Sequence, residues 1–165
     1  ENELARIFQE YGEERRARRL AREIVKRRRT GPLRTSDELV AALTVTLDRP
    51  PSTREKARVF QALRIAVNDE LETLATTLPA FRDALRDGAV MVVIAYHSLE
   101  DRIVKHAFRD WSRSCVCPPE LPVCRCRGHA LGEALTPSPV QAGEAEIRRN
   151  PRARSARLRA WRRAA

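Results

Sequence analysis

Stretches with one apolar stripe at helical spacing, together with a single short β-branched run, predict an α/β protein. Three observations carry that class. Apolar residues recur at i, i+3, i+4 and i+7 in several separate segments. The run Ala89-Val90-Met91-Val92-Val93-Ile94-Ala95-Tyr96 is apolar throughout and bounded by Gly88 and a polar cluster, which reads as a strand buried on both faces. The polar cluster His97-Ser98-Leu99-Glu100-Asp101-Arg102 then leads into another amphipathic segment. Helix, glycine turn, buried strand and polar strand end make half of a βαβ layout, in which ligands sit beyond the carboxyl ends of the strands. A chain of 165 residues has room for one domain or two small lobes.

Residues 2–29 read as one helix. Leu4, Ile7, Phe8 and Tyr11 begin its stripe, and Ala17, Leu20, Ala21, Ile24 and Val25 resume it after Gly12. Gly31-Pro32 ends it. Thr35-Ser36-Asp37-Glu38 is a capping-box pattern announcing a helix on Leu39, Val40, Leu43 and Leu47. Arg49-Pro50-Pro51-Ser52 is a hard break, dividing a helical lobe over 1–52 from the remainder over 53–165. Val59, Phe60, Leu63, Val67, Leu71 and Leu74 predict a long helix over 53–75, with a short helical turn from Pro79 to Leu85. After the strand, a helix follows on Ile103, Val104, Ala107, Phe108 and Trp111. A Cys- and Pro-rich loop spans 112–143, and a basic tail spans 147–165, in which Ser155, Ala156 and Leu158 suit a short closing strand.

The net charge is +10 and all but three of the 32 Lys and Arg residues are arginine, so the charge points to a polyanionic partner. No apolar stretch approaches the roughly 20 residues of a membrane span, and Glu1-Asn2-Glu3 does not open a signal peptide. A soluble, cytoplasmic protein with no membrane partner is the expectation. The four cysteines lie in one short loop and do not staple the fold.

Several residue groups admit a chemical reading beside a structural one. His97-Ser98, at the end of a buried strand, suits the binding of a base or sugar, with His97 a candidate acceptor for a proton. Equally, Ser98 suits a helix cap, with Glu100 and Asp101 favouring the positive helix start. Gln61, Arg64 and Asn68 share one helix face, which either meets solvent or lines a cleft; such side chains match the Watson–Crick edge of an unstacked base. The basic segment 13–29 pairs Glu14 with Arg18 and Glu23 with Arg27 at i, i+4, yet leaves positive charge for phosphate contact. Residues 147–163 hold eight arginines and no acid, Arg152, Arg154 and Arg157 among them, and arginine binds phosphate oxygens bidentately. Cys115-x-Cys117 and Cys124-x-Cys126 offer four thiols for a structural zinc ion; a reduced loop, or disulfides formed on oxidation, is the alternative.

Two runs are more specific. They are Phe60-Gln61-Ala62-Leu63-Arg64-Ile65-Ala66-Val67-Asn68-Asp69-Glu70-Leu71 and Val93-Ile94-Ala95-Tyr96-His97-Ser98-Leu99-Glu100-Asp101-Arg102-Ile103-Val104-Lys105. With Asn150-Pro151-Arg152-Ala153-Arg154-Ser155-Ala156-Arg157-Leu158-Arg159, Tyr11-Gly12-Glu13-Glu14 and the Cys-x-Cys-Pro-Pro loop, they resemble the bacterial 16S rRNA cytosine-N4 methyltransferase family, historically called MraW. The similarity spans essentially the whole chain in the family's order. It departs at Thr53-Arg54-Glu55-Lys56-Ala57, where the family has a His-Pro-Ala-Thr-like run.

The resemblance implies an S-adenosylmethionine-dependent enzyme acting on 16S rRNA of the small ribosomal subunit. It also implies the later half of a Rossmann-like class I methyltransferase domain, with residues 1–52 as an inserted helical lobe. The family's opening strand, glycine-rich turn, ribose-binding acid and Asp-Leu-Gly segment have no match here, and the six glycines are scattered singly. The expectation is therefore a C-terminal portion, inactive alone, with the cofactor held elsewhere; a non-catalytic RNA-binding module is the alternative.

Overall fold

The computed structural model describes residues 1–118, 123 and 126–165, which form two compact units, Glu1–Glu70 and Leu71–Ala165. The first unit is helical, with α1 at Asn2–Glu10, α2 at Ala17–Arg28, α3 at Ser36–Leu47 and α4 at Thr53–Asn68. Phe8, Leu20, Leu43, Val59 and Ala62 form its core. Because Val59 and Ala62 of α4 belong to that core, the unit ends at Glu70 rather than at the break near residue 52. Thr35 caps α3 as expected: its hydroxyl accepts from the Glu38 N–H at 3.3 Å, and the Glu38 carboxylate accepts from the Thr35 N–H at 2.8 Å.

The helix expected over 2–29 is two helices joined by a turn. Gly12 makes that turn possible, since a Cβ there would stand 2.8 Å from the Phe8 carbonyl and 3.2 Å from Ala62 Cβ. Glu13 follows in the left-handed region at φ +48°. The helix expected over 53–75 also divides, at Asp69 with φ +52°, and α5 runs over Glu70–Ala84 straight through Pro79. Burial of Leu78, with Leu74 and Leu85 packed against the same cluster, carries the helix across a proline that local propensity would use as a boundary.

The second unit continues with β1 (Val90–Ala95), α6 (Ser98–Trp111), β2 (Gly132–Ala134), β3 (Val140–Gln141), α7 (Glu144–Arg149), a 3-10 turn (Pro151–Ser155) and β4 (Arg157–Arg163). All described strand pairs are antiparallel: β4 is central, with β1 on one side and β2 and β3 on the other. No parallel pair of a βαβ unit occurs among the described residues. The closing strand lies later and runs longer than the 155–158 expectation. Met91 and Ala95 of β1 are buried, while Val90, Val92 and Ile94 are about half exposed. The strand expected to be covered on both faces is thus covered on one, the pattern of an antiparallel edge strand. Trp161 of β4 is wholly buried beside Phe108 and Trp111, with ring centroids 6.3 and 5.3 Å away, and its Nε1–H donates to Ser112 Oγ at 3.2 Å.

Candidate functional site

The carboxyl end of β1 passes through Tyr96 into the start of α6. His97, not Ser98, is the helix N-cap: its Nδ1 accepts from the Glu100 N–H at 3.3 Å, and the Glu100 carboxylate accepts from the N–H groups of Tyr96 at 2.9 Å and His97 at 3.2 Å. Imidazole thereby does the work of a capping hydroxyl. The second ring nitrogen, Nε2, lies 3.2 Å from Glu100 Oε1 and makes no hydrogen bond among the described residues, in a side chain only 10% exposed. Burial pushes the Glu100 carboxyl upward, but the His97 ring and the two N–H groups outweigh it and hold the group below its ordinary value. Ser98 stays exposed in the first turn of α6.

Asp101 is committed to the chain's last strand. It accepts from Arg159 Nε at 2.7 Å and from Arg157 at 3.2 Å, and the side chains of Asp101 and Arg159 are each 8% exposed. Here too burial raises the carboxyl, and the two guanidinium groups overcome it and hold the group low. The pairing of Ala95 with Arg157 places the preceding 3-10 turn, with exposed Arg152 and Arg154, at the same end of the sheet as His97 and Ser98. Among the described residues neither of those two arginines makes an ion pair. Asn150 fixes the turn by accepting from the Arg152 N–H at 3.2 Å.

In the helical unit, Arg64 and Asn68 do share a face, and both converge on Glu70: Arg64 at 2.8 and 3.0 Å, Asn68 at 3.2 Å. Gln61 is half-buried one turn earlier. A cleft of about 550 Å³ lies between the α1–α2 turn and the start of α4, lined by Glu14, Arg15, Arg16, Arg49, Arg54 and Arg58 among others. Arg58 Nε is buried there without a hydrogen-bond partner among the described residues. Glu23 pairs with Arg27 at 2.8 Å as expected. Glu14 does not pair with Arg18 but accepts from the Arg16 N–H at 2.9 Å, because residues 11–16 are turn rather than helix.

A model of the MraW methylase family matches residues 1–164. The chain belongs to the MraW methylase family. It is 56% identical over 162 residues, 98% of this chain, to the Ribosomal RNA small subunit methyltransferase H of Gemmatimonas aurantiaca, covering 51% of that protein. The protein of the same name from Geobacter sulfurreducens is 51% identical over 163 residues, with 97% of this chain and 52% of the relative covered. Its namesake from Symbiobacterium thermophilum is 48% identical over 165 residues, 97% of this chain and 51% of the relative. The chain spans about half the length of the curated relatives it matches.

Within this MraW family chain, His97, Ser98, Arg152 and Arg154 gather at one end of the sheet, whereas the Arg157 guanidinium is drawn to Asp101. Cys124 lies outside the described residues; Cys115, Cys117 and Cys126 are brought together. Sequence reasoning missed the Ser52–Glu55 capping box, although it repeats the Thr35–Glu38 spacing. It also missed the half-buried Arg58, whose Nε is enclosed and which carries no local signal.

S-adenosylmethionine, the family's methyl donor, needs a backbone cradle for its methionine end. Among the described residues none is formed. A Cβ at Gly12 would meet the Phe8 carbonyl and Ala62, and one at Gly132 would meet the Trp161 ring and the Arg162 carbonyl, so both glycines serve internal packing. The other four stand singly with open space around them. The described glycines do not fit the methionine end of the cofactor.

Proposed function

We propose that this chain is part of an S-adenosylmethionine-dependent enzyme that methylates the N4 amine of a cytidine in 16S rRNA of the small ribosomal subunit, in the cytoplasm. The chain supplies RNA-contacting surface and part of the target-base pocket, and is inactive alone. One observation carries this reading: His97, Ser98, Arg152 and Arg154 gather at a single sheet end, in a family whose named relatives modify small-subunit rRNA. Arg152 and Arg154 take phosphate oxygens, and the Ser98 hydroxyl takes a base or sugar group. His97 Nδ1 is occupied by the Glu100 N–H, so the ring positions the strand end, and its candidacy as acceptor of the amine proton rests on Nε2. Arg64 and Asn68, held at Glu70, offer a second polar surface for RNA.

The test is binding of a 16S rRNA fragment at several salt concentrations, with and without R152A/R154A. The logarithmic salt slope is expected to fall by about 0.7–0.9 per lost phosphate contact. An unchanged slope removes these arginines from the interface. Calorimetric titration of the chain with S-adenosylmethionine is expected to show no binding; one-to-one binding would place the cofactor pocket here. The missing cradle also favours a second reading, a non-catalytic RNA-binding module. Transfer of a labelled methyl group to 16S rRNA by the protein that carries this chain separates the two.

A further inference from the structure

The segment between α6 and β2 holds a cluster that the proposed function does not use. Cys115, Cys117 and Cys126 bring their sulfur atoms within 4.8 Å of one another. They come from two arms of the loop that Arg127 ties together. Its Nη2 donates to the carbonyls of Asp110 and Arg113, the latter at 2.8 Å, and its Nε donates to the His129 carbonyl at 2.8 Å. Leu131 N–H donates to the Trp111 carbonyl at 2.8 Å and closes the base of the loop. Apolar burial does not hold this region, since Val116 and Val123 are exposed.

Three sulfurs at this separation suit one ligated ion, and a zinc ion takes all three. With Zn–S bonds of about 2.3 Å, tetrahedral geometry sets sulfurs about 3.8 Å apart, so the triangle closes on an ion through shifts of about 1 Å or less. Soft thiolates select zinc over magnesium or calcium. The Val116 N–H donates to Cys126 Sγ at 3.4 Å, while the same sulfur donates to the Ser114 carbonyl at 3.8 Å, a proton that metal binding would release.

We propose that Cys115, Cys117 and Cys126 ligate a structural zinc ion that fixes the loop between α6 and β2. Cys124 lies outside the described residues, and the proposal stands on these three. Three cysteines fill three of zinc's four tetrahedral positions and water or a further donor fills the fourth; in a thiolate-rich site the binding energy goes into ordering the chain.

The test starts with the protein purified under reducing conditions and assayed for metal by mass spectrometry. One zinc per chain is expected, released when a mercurial titrates the thiols. C117S and C126S are each expected to lower retained zinc by more than about tenfold. If either variant fails to fold, the unmutated protein still decides the matter. Cobalt(II) exchanged into it should give the intense visible bands of a tetrahedral site, with thiolate-to-cobalt charge transfer in the near ultraviolet. Absence of zinc with every cysteine open to Ellman's reagent would overturn the proposal, as would a disulfide between any two of the three in the reduced preparation.

Discussion

The basic segment of the helical unit and the basic tail pair their arginines at different depths. Residues 13–29 interleave arginines with Glu13, Glu14 and Glu23, while residues 147–163 contain no acid at all. In the structure both regions find partners: Arg16 and Arg19 meet Asp48 and Arg22 meets Glu1 at exposed sites, and Arg27 meets Glu23, whereas the deeply buried pair belongs to the tail. Arg157 and Arg159 meet Asp101, Arg162 meets Glu133 at 2.9 Å, and Arg163 meets Asp87 at 3.3 Å. In the helical unit, Arg15 and Arg18 make no ion pair among the described residues although acids stand beside them in sequence. The acid count within a window therefore measures composition, not availability. Tertiary pairing reaches across 58 positions from Arg159 to Asp101, and no local pattern reports it.

The contrast breaks most sharply at Asp101. Asp101→Ala leaves the buried Arg159 guanidinium without its counter-charge, and a loss of about 3–5 kcal/mol is expected in urea unfolding. The same carboxyl sets a pH dependence. Its folded-state value is depressed, so its contribution is fully present above the ordinary carboxylate range near pH 4 and is lost as pH falls through the depressed value. Asp101→Asn should flatten the acid limb of a stability-versus-pH curve; a limb of undiminished slope would assign the effect to other carboxylates.

Smaller effects sharpen the picture. His97→Ala removes the α6 cap and is expected to cost about 1 kcal/mol, with His97→Asn restoring most of it because asparagine is itself a favoured cap. Thermal unfolding of the two variants checks this, and equal losses would point to ring packing instead. Glu23→Gln breaks the one expected i, i+4 pair of α2, and a change of only about 0.3–0.5 kcal/mol is expected by the same measurement.

What was legible follows from range. The Thr35-x-x-Glu38 box needs four consecutive residues and was read correctly; His97-x-x-Glu100 has the same geometry but escaped because histidine is rarely a cap. Gly12 was visible, yet the apolar stripe on both sides of it imitates a continuous helix. Only the fold shows that its missing Cβ admits Phe8 and Ala62. The polar strand end at His97-Ser98 was legible as a site candidate, because a buried run stops there. That Arg152 and Arg154 join it depends on the register between β1 and β4, which lies beyond any local signal.

That register also sets a timetable for synthesis. β1, β2 and β3 make all their described pairs with β4, so the sheet has no ladder until residues 157–163 have emerged from the ribosome. Until then β1 lacks its described partner, and Val90, Val92 and Ile94 present an apolar face of the sort that chaperones bind. The helical unit has its four helices complete by residue 68 and is free to fold long before. A ribosome stalled inside the Cys-rich segment would carry a folded first unit joined to a second whose described sheet has not yet begun to pair.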